Sequence, residues 1–216
     1  MVKLLGIDSN YDVATSRMFR YRNEYVYDGI LARFNSYEKK QENQATRSEI
    51  AQVAPDREIK YITGSGHGFY NSFMGQCGED IWRKTCPLRG GPSYAKEEVE
   101  NKIIHLLSCC SADVLGPDMV KKGCLAFFGY TEDFWVKDQT AELCVYSDSQ
   151  IDEAVSEGEN AEMVYLRTAY TYMIAQRDLV QEDLFDLAAE IQHNLDNLRC
   201  PHHDDKWGKK DARIVF

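Results

Sequence analysis

No apolar run in this 216-residue chain approaches the roughly 20 residues that span a bilayer, and Met1-Val-Lys-Leu-Leu-Gly-Ile7 is too short for a signal peptide. Positive charge is scarce: 25 Lys and Arg stand against 35 Asp and Glu, a net charge of −10. Nucleic acid and anionic membrane would both be repelled, so neither is expected as a partner. The seven cysteines (77, 86, 109, 110, 124, 144, 200) contain no Cys-x-x-Cys pair, which leaves a structural zinc site without support. Their odd number and irregular spacing do not read as a disulfide framework. Free thiols in a cytoplasmic protein, with no metal and no cofactor, is the expectation. No internal repeat or low-complexity tract is visible.

What the chain does have is ordinary globular composition, with 44% hydrophobic and 28% charged residues and length enough for a sizeable core. Short apolar runs at 2–7, 58–63, 103–108 and 124–129 read as strands covered on both faces. The segment from Leu115 to Lys122 reads as a helix. Pro117 suits its first turn, two lysines its last, and Gly123 ends it. Strand, helix and strand within so few residues form a βαβ unit with a parallel, right-handed crossover. The aromatic-rich stretch from 13 to about 40 has three- and four-residue apolar spacing and is expected to be helix, broken near Gly29. A short helix is expected from Ser48, a helical fragment at Glu79–Arg83, and helices at 161–175 and 179–198. The acidic segment 148–160 is expected to close the catalytic layer, and Arg213–Phe216 to add a strand. The expected fold class is α/β, an α/β/α sandwich with a mainly parallel central sheet. Residues 1–147 would form the core, and 148–216 a helical extension packed on the same domain.

Two of these strands end in reactive side chains. Ile59-Lys-Tyr-Ile-Thr-Gly-Ser-Gly-His67-Gly68 stops in a His-Gly step, and Lys102-Ile-Ile-His-Leu-Leu-Ser-Cys-Cys-Ser-Ala112 stops in vicinal cysteines. In parallel sheets chemistry collects beyond the carboxyl ends of strands. A thiol needs a nearby acid–base group and donors for the oxyanion formed on attack. His67 fits the first role. The backbone N–H groups of Gly68 and Cys109 fit the second. His105 lies within its strand and reads as a hydrogen-bonded core residue, and His193 as structural. Cys200-Pro-His202-His203-Asp204-Asp205 holds possible metal ligands but reads as a solvated loop.

The two strand ends, in this order, resemble the caspase-like (clan CD) cysteine peptidases: caspases, metacaspases, legumains, gingipains, clostripain and CHAT-type domains. The likeness covers about residues 2–136. It implies a caspase-like fold and a cysteine endopeptidase acting on a protein or peptide through a His67–Cys dyad. The metacaspase- and legumain-like register selects Cys109 as nucleophile and is preferred. A CHAT-like register selects Cys110, and in an extended chain only one of the two faces His67. Several family members carry an Asp two residues before the nucleophile that binds a basic P1 side chain. That position is Leu107 here, or Ser108 for Cys110, so a basic preference would need Asp8, Asp12, Glu132 or Asp133. Arg83–Pro92 is a candidate gate, opened by an activating partner or by self-cleavage at Arg83, Lys84 or Arg89. Two alternatives stand beside this reading. One is a catalytically silent caspase-like binding module. The other is a glutamine-amidotransferase-type enzyme, which would require a Gly-x-Cys-x-Gly elbow that is absent here.

Overall fold

Strand β1 (Lys3–Asp8) is buried along nearly its whole length, and α1 (Val13–Arg22) follows it. Asp12 caps α1: its side chain accepts the Thr15 N–H while the Thr15 hydroxyl takes the Asp12 N–H, a reciprocal capping box. A π turn (Asn23–Tyr27) and the single turn α2 (Asp28–Ile30) continue the path. The expected helix stops there. Ser36–Gln41 is β2, a half-exposed edge strand parallel to β1. The short helix α3 (Arg47–Val53) leads to β3 (Ile59–Ser65).

The structure is a computed structural model describing residues 1–85 and 94–216. The stretch after His67 is less irregular than its composition predicts. Strands β4 (Gly68–Phe69), β5 (Ser72–Met74) and β6 (Asp80–Arg83) form a small antiparallel sheet. Glu79–Arg83 is therefore mainly strand rather than helix. Ile81 and Trp82 are buried in it, and Arg83 pairs with Asp80 at 2.8 Å. The expected gate, Arg83–Pro92, lies largely outside the described residues.

Next come β7 (Ile103–Leu107), α4 (Leu115–Lys121) and β8 (Ala126–Tyr130). Gly123 ends α4 at φ +101°, and Cys124 N–H and Gly123 N–H return to the Met119 and Val120 carbonyls. That pair of bonds is a Schellman closure, which glycine permits at no steric cost. Helices α5 (Ala141–Ser156), α6 (Ala161–Gln181) and α7 (Phe185–Asn197) complete the fold, with β9 (Leu198–Arg199) running antiparallel to β8. No strand forms at 213–216.

The main sheet has the order β2-β1-β3-β7-β8-β9, parallel except for β9. Its alternating side chains feed two cores. Leu4, Tyr61, Ile103 and Phe128 pack towards α1, α5 and α6, while Leu5, Ile62, Ile104 and Phe127 pack towards α3, α4 and the small sheet. The result is a mainly parallel sheet between helical layers. Because β1 is flanked by β2 and β3, the chain reverses its direction of travel across the sheet there, and such a switch point opens a crevice at the carboxyl ends.

The helical side of the sheet also hides a polar network. The acidic run at 148 does not close a layer; it is the buried face of α5. Asp148 and Asp152, both inaccessible to solvent, hold His105 between them at 3.1 and 3.2 Å. Arg22 reaches Asp8 at 2.9 Å, Asp152 at 3.3 Å and Thr63 at 2.7 Å. Tyr61 donates to Asp152 and Tyr130 to Asp148, each at 2.7 Å. Burial works against charge on His105, but the two carboxylates outweigh it and push its pKa up to about 9.

Candidate active site

The register sets the site. Ser65 of β3 lies beside Asp8 of β1 and Leu107 of β7, so three strands end level with one another. Ser9 N–H bonds to the Ser65 carbonyl at 3.0 Å and Gly66 N–H to the Leu107 carbonyl at 3.3 Å, tying the departing loops together. From these ends emerge Asp12, His67 and Cys109.

His67 Nε2 lies 2.6 Å from Asp12 Oδ2. Burial opposes charge on Asp12, yet hydrogen bonds from Thr15 and His67 outweigh it and hold the carboxyl below its ordinary range. An ionised carboxylate can only accept, so Nε2 carries the hydrogen and Nδ1 is the basic nitrogen. Among the described residues Nδ1 has no partner. Tyr11 packs edge-on against the ring with centroids 5.7 Å apart.

The strand ends at Leu107, so the two cysteines sit in a turn rather than on opposite faces of an extended segment. Cys109 lines a cavity of about 780 Å³ together with His67 and Gly68. Its sulfur accepts the Phe134 N–H at 3.4 Å. Burial pushes the thiol up to about 11; the Phe134 bond opposes this and Asp133 adds to it. Cys110 adopts a left-handed backbone at φ +57°, is not in the cavity wall, and directs its thiol to Asp133 at 3.8 Å. Burial and Asp133 raise its pKa as well.

Gly68 has a firmer reason than closeness to substrate. A Cβ there would lie 2.4 Å from the Cys109 carbonyl oxygen, so only glycine lets the two loops meet. His67 and Met74 form a hydrogen-bonded pair (Met74 N to His67 O, 2.9 Å). The next pair, Gly68 with Phe73, is then a non-bonded one, and the Gly68 N–H points away from β5. Among the described residues the Cys109 N–H also donates to nothing, whereas Cys110 N–H is spent on the Glu132 carbonyl at 2.9 Å.

The proposed substrate carboxylates separate. Asp8 is wholly buried and bonded to Arg22, Tyr27 and Ser65, so it belongs to the interior network instead of the cavity. Asp12 is engaged with His67. Glu132 is exposed and outside the cavity wall, while Asp133 lines it beside Phe134, Trp135 and Val136.

Sequence reasoning missed what holds that wall. The residues come from α7 and α1. His193 stacks on Trp135 with centroids 3.8 Å apart and donates to the Asp133 carbonyl at 2.9 Å. Asn194 accepts from the Trp135 N–H and donates to its carbonyl, at 2.9 and 2.8 Å, and Arg17 donates to the Val136 carbonyl at 3.1 Å. An amphipathic helix gives no sign of such contacts, because they cross 59 to 119 residues of sequence. Elsewhere, His202 pairs with Glu162 at 2.7 Å and stacks on Tyr165, and the buried Cys200 thiol lies 3.6 Å from His203. Among the described residues, the group whose ligand atoms come close enough for one metal ion is His105, Asp148 and Asp152. No helix among the described residues is long and apolar enough to cross a membrane.

No family model and no curated protein matches this sequence. Solved structures do. The Arg-specific cysteine proteinase gingipain R (RgpB) aligns with a TM-score of 0.56 at 12% identity, over 98% of this chain and 47% of that one. A complex of Porphyromonas gingivalis RgpB pro- and mature domains gives 0.51 at 11%, over 92% and 46%. The fold is the caspase-like fold of gingipain. At such identity the likeness is one of fold alone, and the chain spans less than half the length of these neighbours. Within a caspase-like fold, the arrangement offers a thiol, an imidazole with an ionised carboxylate behind it, and two unspent N–H groups around one cavity.

Proposed function

We propose that the protein is a cysteine endopeptidase in which Cys109 is the nucleophile and His67 the acid–base group. The observation that carries this reading is the shared cavity lined by His67, Gly68 and Cys109 at the ends of adjacent parallel strands. The free His67 nitrogen takes the thiol proton as sulfur attacks the peptide carbonyl. The oxyanion receives the Gly68 and Cys109 N–H groups. His67 then protonates the leaving amine, and water hydrolyses the acyl-enzyme. Asp12 orients the imidazole and stabilises its charged form.

Beyond His67 and Cys109 the cavity wall is largely apolar, with Phe69, Met74, Phe134, Trp135 and Val136 in it. Its charged side chains are Asp133 and Lys137, and Lys137 is paired with Glu190 at 3.1 Å. A long P1 side chain with an apolar stem fits this wall, and Asp133 is available to a basic tip. Acyloxymethyl ketone probes with Lys, Arg, Leu and Asp at P1, followed by mass spectrometry, test the proposal. Labelling of Cys109 with a preference for Leu, Lys or Arg over Asp supports it; no labelling by any probe refutes it.

One observation favours a second reading, a silent binding module. Among the described residues His67 bonds to Asp12 and Cys109 to Phe134 N–H, with no bond between the pair. An enzyme that gains this contact on binding substrate or an activating partner accounts for the same geometry. That the gingipain neighbour forms a complex with its pro-domain supports a regulated groove. The probe panel separates the two readings, since a silent module labels with none.

A further inference from the structure

Helix α6 carries apolar side chains on both faces, unlike an ordinary surface helix. Its inward row is Ala161, Val164, Thr168, Tyr172 and Leu179. The outward row, where polar side chains are normal, is Met163, Leu166, Tyr170 and Met173, respectively 48%, 46%, 66% and 57% exposed. Their steps of three, four and three residues repeat at the spacing by which one helix meets another along a continuous seam. Four residues on stands Arg177, then Val180 and Leu184, all exposed.

We propose that this face joins two copies of the chain, with the α6 helices antiparallel across a two-fold axis near Met173. The register is self-complementary, as an isologous interface requires. Placing Met173 opposite its own copy sets Leu166 against Val180 and brings Met163 beside Leu184, in the turn that follows α6. It also sets Tyr170 of one copy against Arg177 of the other. The row's single charge thus falls on an aromatic ring, where a guanidinium is held by cation–π attraction. With Phe185, these residues expose about 700 Å² of mostly apolar surface per copy, a little under the roughly 800 Å² per partner of a standard interface.

Charge argues against a lipid surface as the occupant. Helices that lie on anionic membranes carry Lys and Arg beside their apolar face. Here Glu162, Asp178, Glu182 and Asp183 lie beside the row and the chain carries −10. The same charge gives the dimer a signature. Two copies repel at long range, and salt screens that repulsion while leaving the apolar seam intact. Association therefore strengthens as salt rises, opposite to a contact driven by charge pairing.

Sedimentation velocity on the full chain tests the proposal between about 1 and 500 μM, in low and high salt. The expected result is a concentration-dependent dimer that tightens in high salt. Met173→Glu should weaken it on the order of a hundredfold, as loss of a central anchor does, with the circular dichroism unchanged and the melting temperature unchanged at dilutions where both proteins are monomeric. Arg177→Glu should weaken it less. Leu166→Cys alone should not cross-link, whereas Leu166→Cys mixed with Val180→Cys should, in a background with Cys77 replaced by Ser. A monomer throughout, a dimer that survives Met173→Glu, or co-sedimentation with phosphatidylserine vesicles overturns the proposal.

Discussion

Asp12 Oδ2 lies 2.6 Å from His67 Nε2, and the same carboxylate caps helix α1 through its other oxygen. One residue thus fixes both the start of a helix and the tautomer of the imidazole. Asp12→Asn separates the two roles, because Asn caps a helix about as well as Asp. The amide can present its N–H to Nε2 and push the ring hydrogen onto Nδ1, where the thiol proton is to be received. The expected outcome is a fall in kcat on the order of a hundred- to ten-thousandfold. KM and thermal stability should change little. Steady-state kinetics alongside a melting curve checks this, and an unchanged kcat removes Asp12 from the mechanism.

The Cys109 thiol, pushed up to about 11 by burial, should be almost wholly protonated at neutral pH. Only the thiolate is alkylated. Iodoacetamide labelling of Cys109 should therefore rise about tenfold per pH unit from 7 to 10 without a plateau. A Cys110→Ala background resolves the two neighbours by mass spectrometry. A plateau below pH 8 would mean a resting thiolate–imidazolium pair and a different geometry from the one described.

Gly68 and Gly29 make a matched pair of tests. A Cβ at Gly68 meets the Cys109 carbonyl at 2.4 Å, whereas one at Gly29 meets nothing within 4 Å. Gly68→Ala should cost about 1–3 kcal/mol through overpacking against backbone. It should also lower turnover on the order of a hundredfold, since it parts the loops that carry His67 and Cys109. Gly29→Ala, in a short helical turn, should stabilise by roughly 0.5–1 kcal/mol. Urea unfolding and a peptide assay on both variants decide the matter.

The strands that lie between buried neighbours were legible because their residues are apolar on both faces. Ile103–Leu107 and Ala126–Tyr130 announce themselves in this way. β2 was not, since Ser36–Gln41 is a polar edge strand stabilised by pairing with β1, and the aromatics before it mimic a helical period. β6 failed for the same reason, being a short strand that exists through β5. The two ends that carry His67 and Cys109 could be read because small residues interrupt apolar runs. Their surroundings could not. The bond from Asp12, the Trp135 clamp by Asn194 and the burial of Asp148 all join distant parts of the chain. Polar residues on a buried helix face also look like a solvated one in sequence. Asp148 and Asp152 are the clearest case.

That buried pair makes stability depend on pH through His105. Its imidazole, pushed up to about 9 by Asp148 and Asp152 against the cost of burial, has an ordinary value near 6.5 when unfolded. The folded value is the higher one, so the contribution is complete below about 6.5 and is lost as pH rises through about 9. The carboxyl of Asp152 is shifted the other way: burial raises it, but His105 and Arg22 outweigh that and lower it. Its contribution is present above the ordinary carboxylate range and fades in acid. Stability should therefore be greatest between about pH 5 and 6.5 and fall by about 3 kcal/mol towards pH 9.5. His105→Phe should flatten the alkaline limb while lowering stability at pH 6, because it leaves two carboxylates facing an apolar ring. Urea unfolding at half-unit steps from pH 5 to 10 reads both effects. An alkaline limb that persists in His105→Phe would assign the loss to another group.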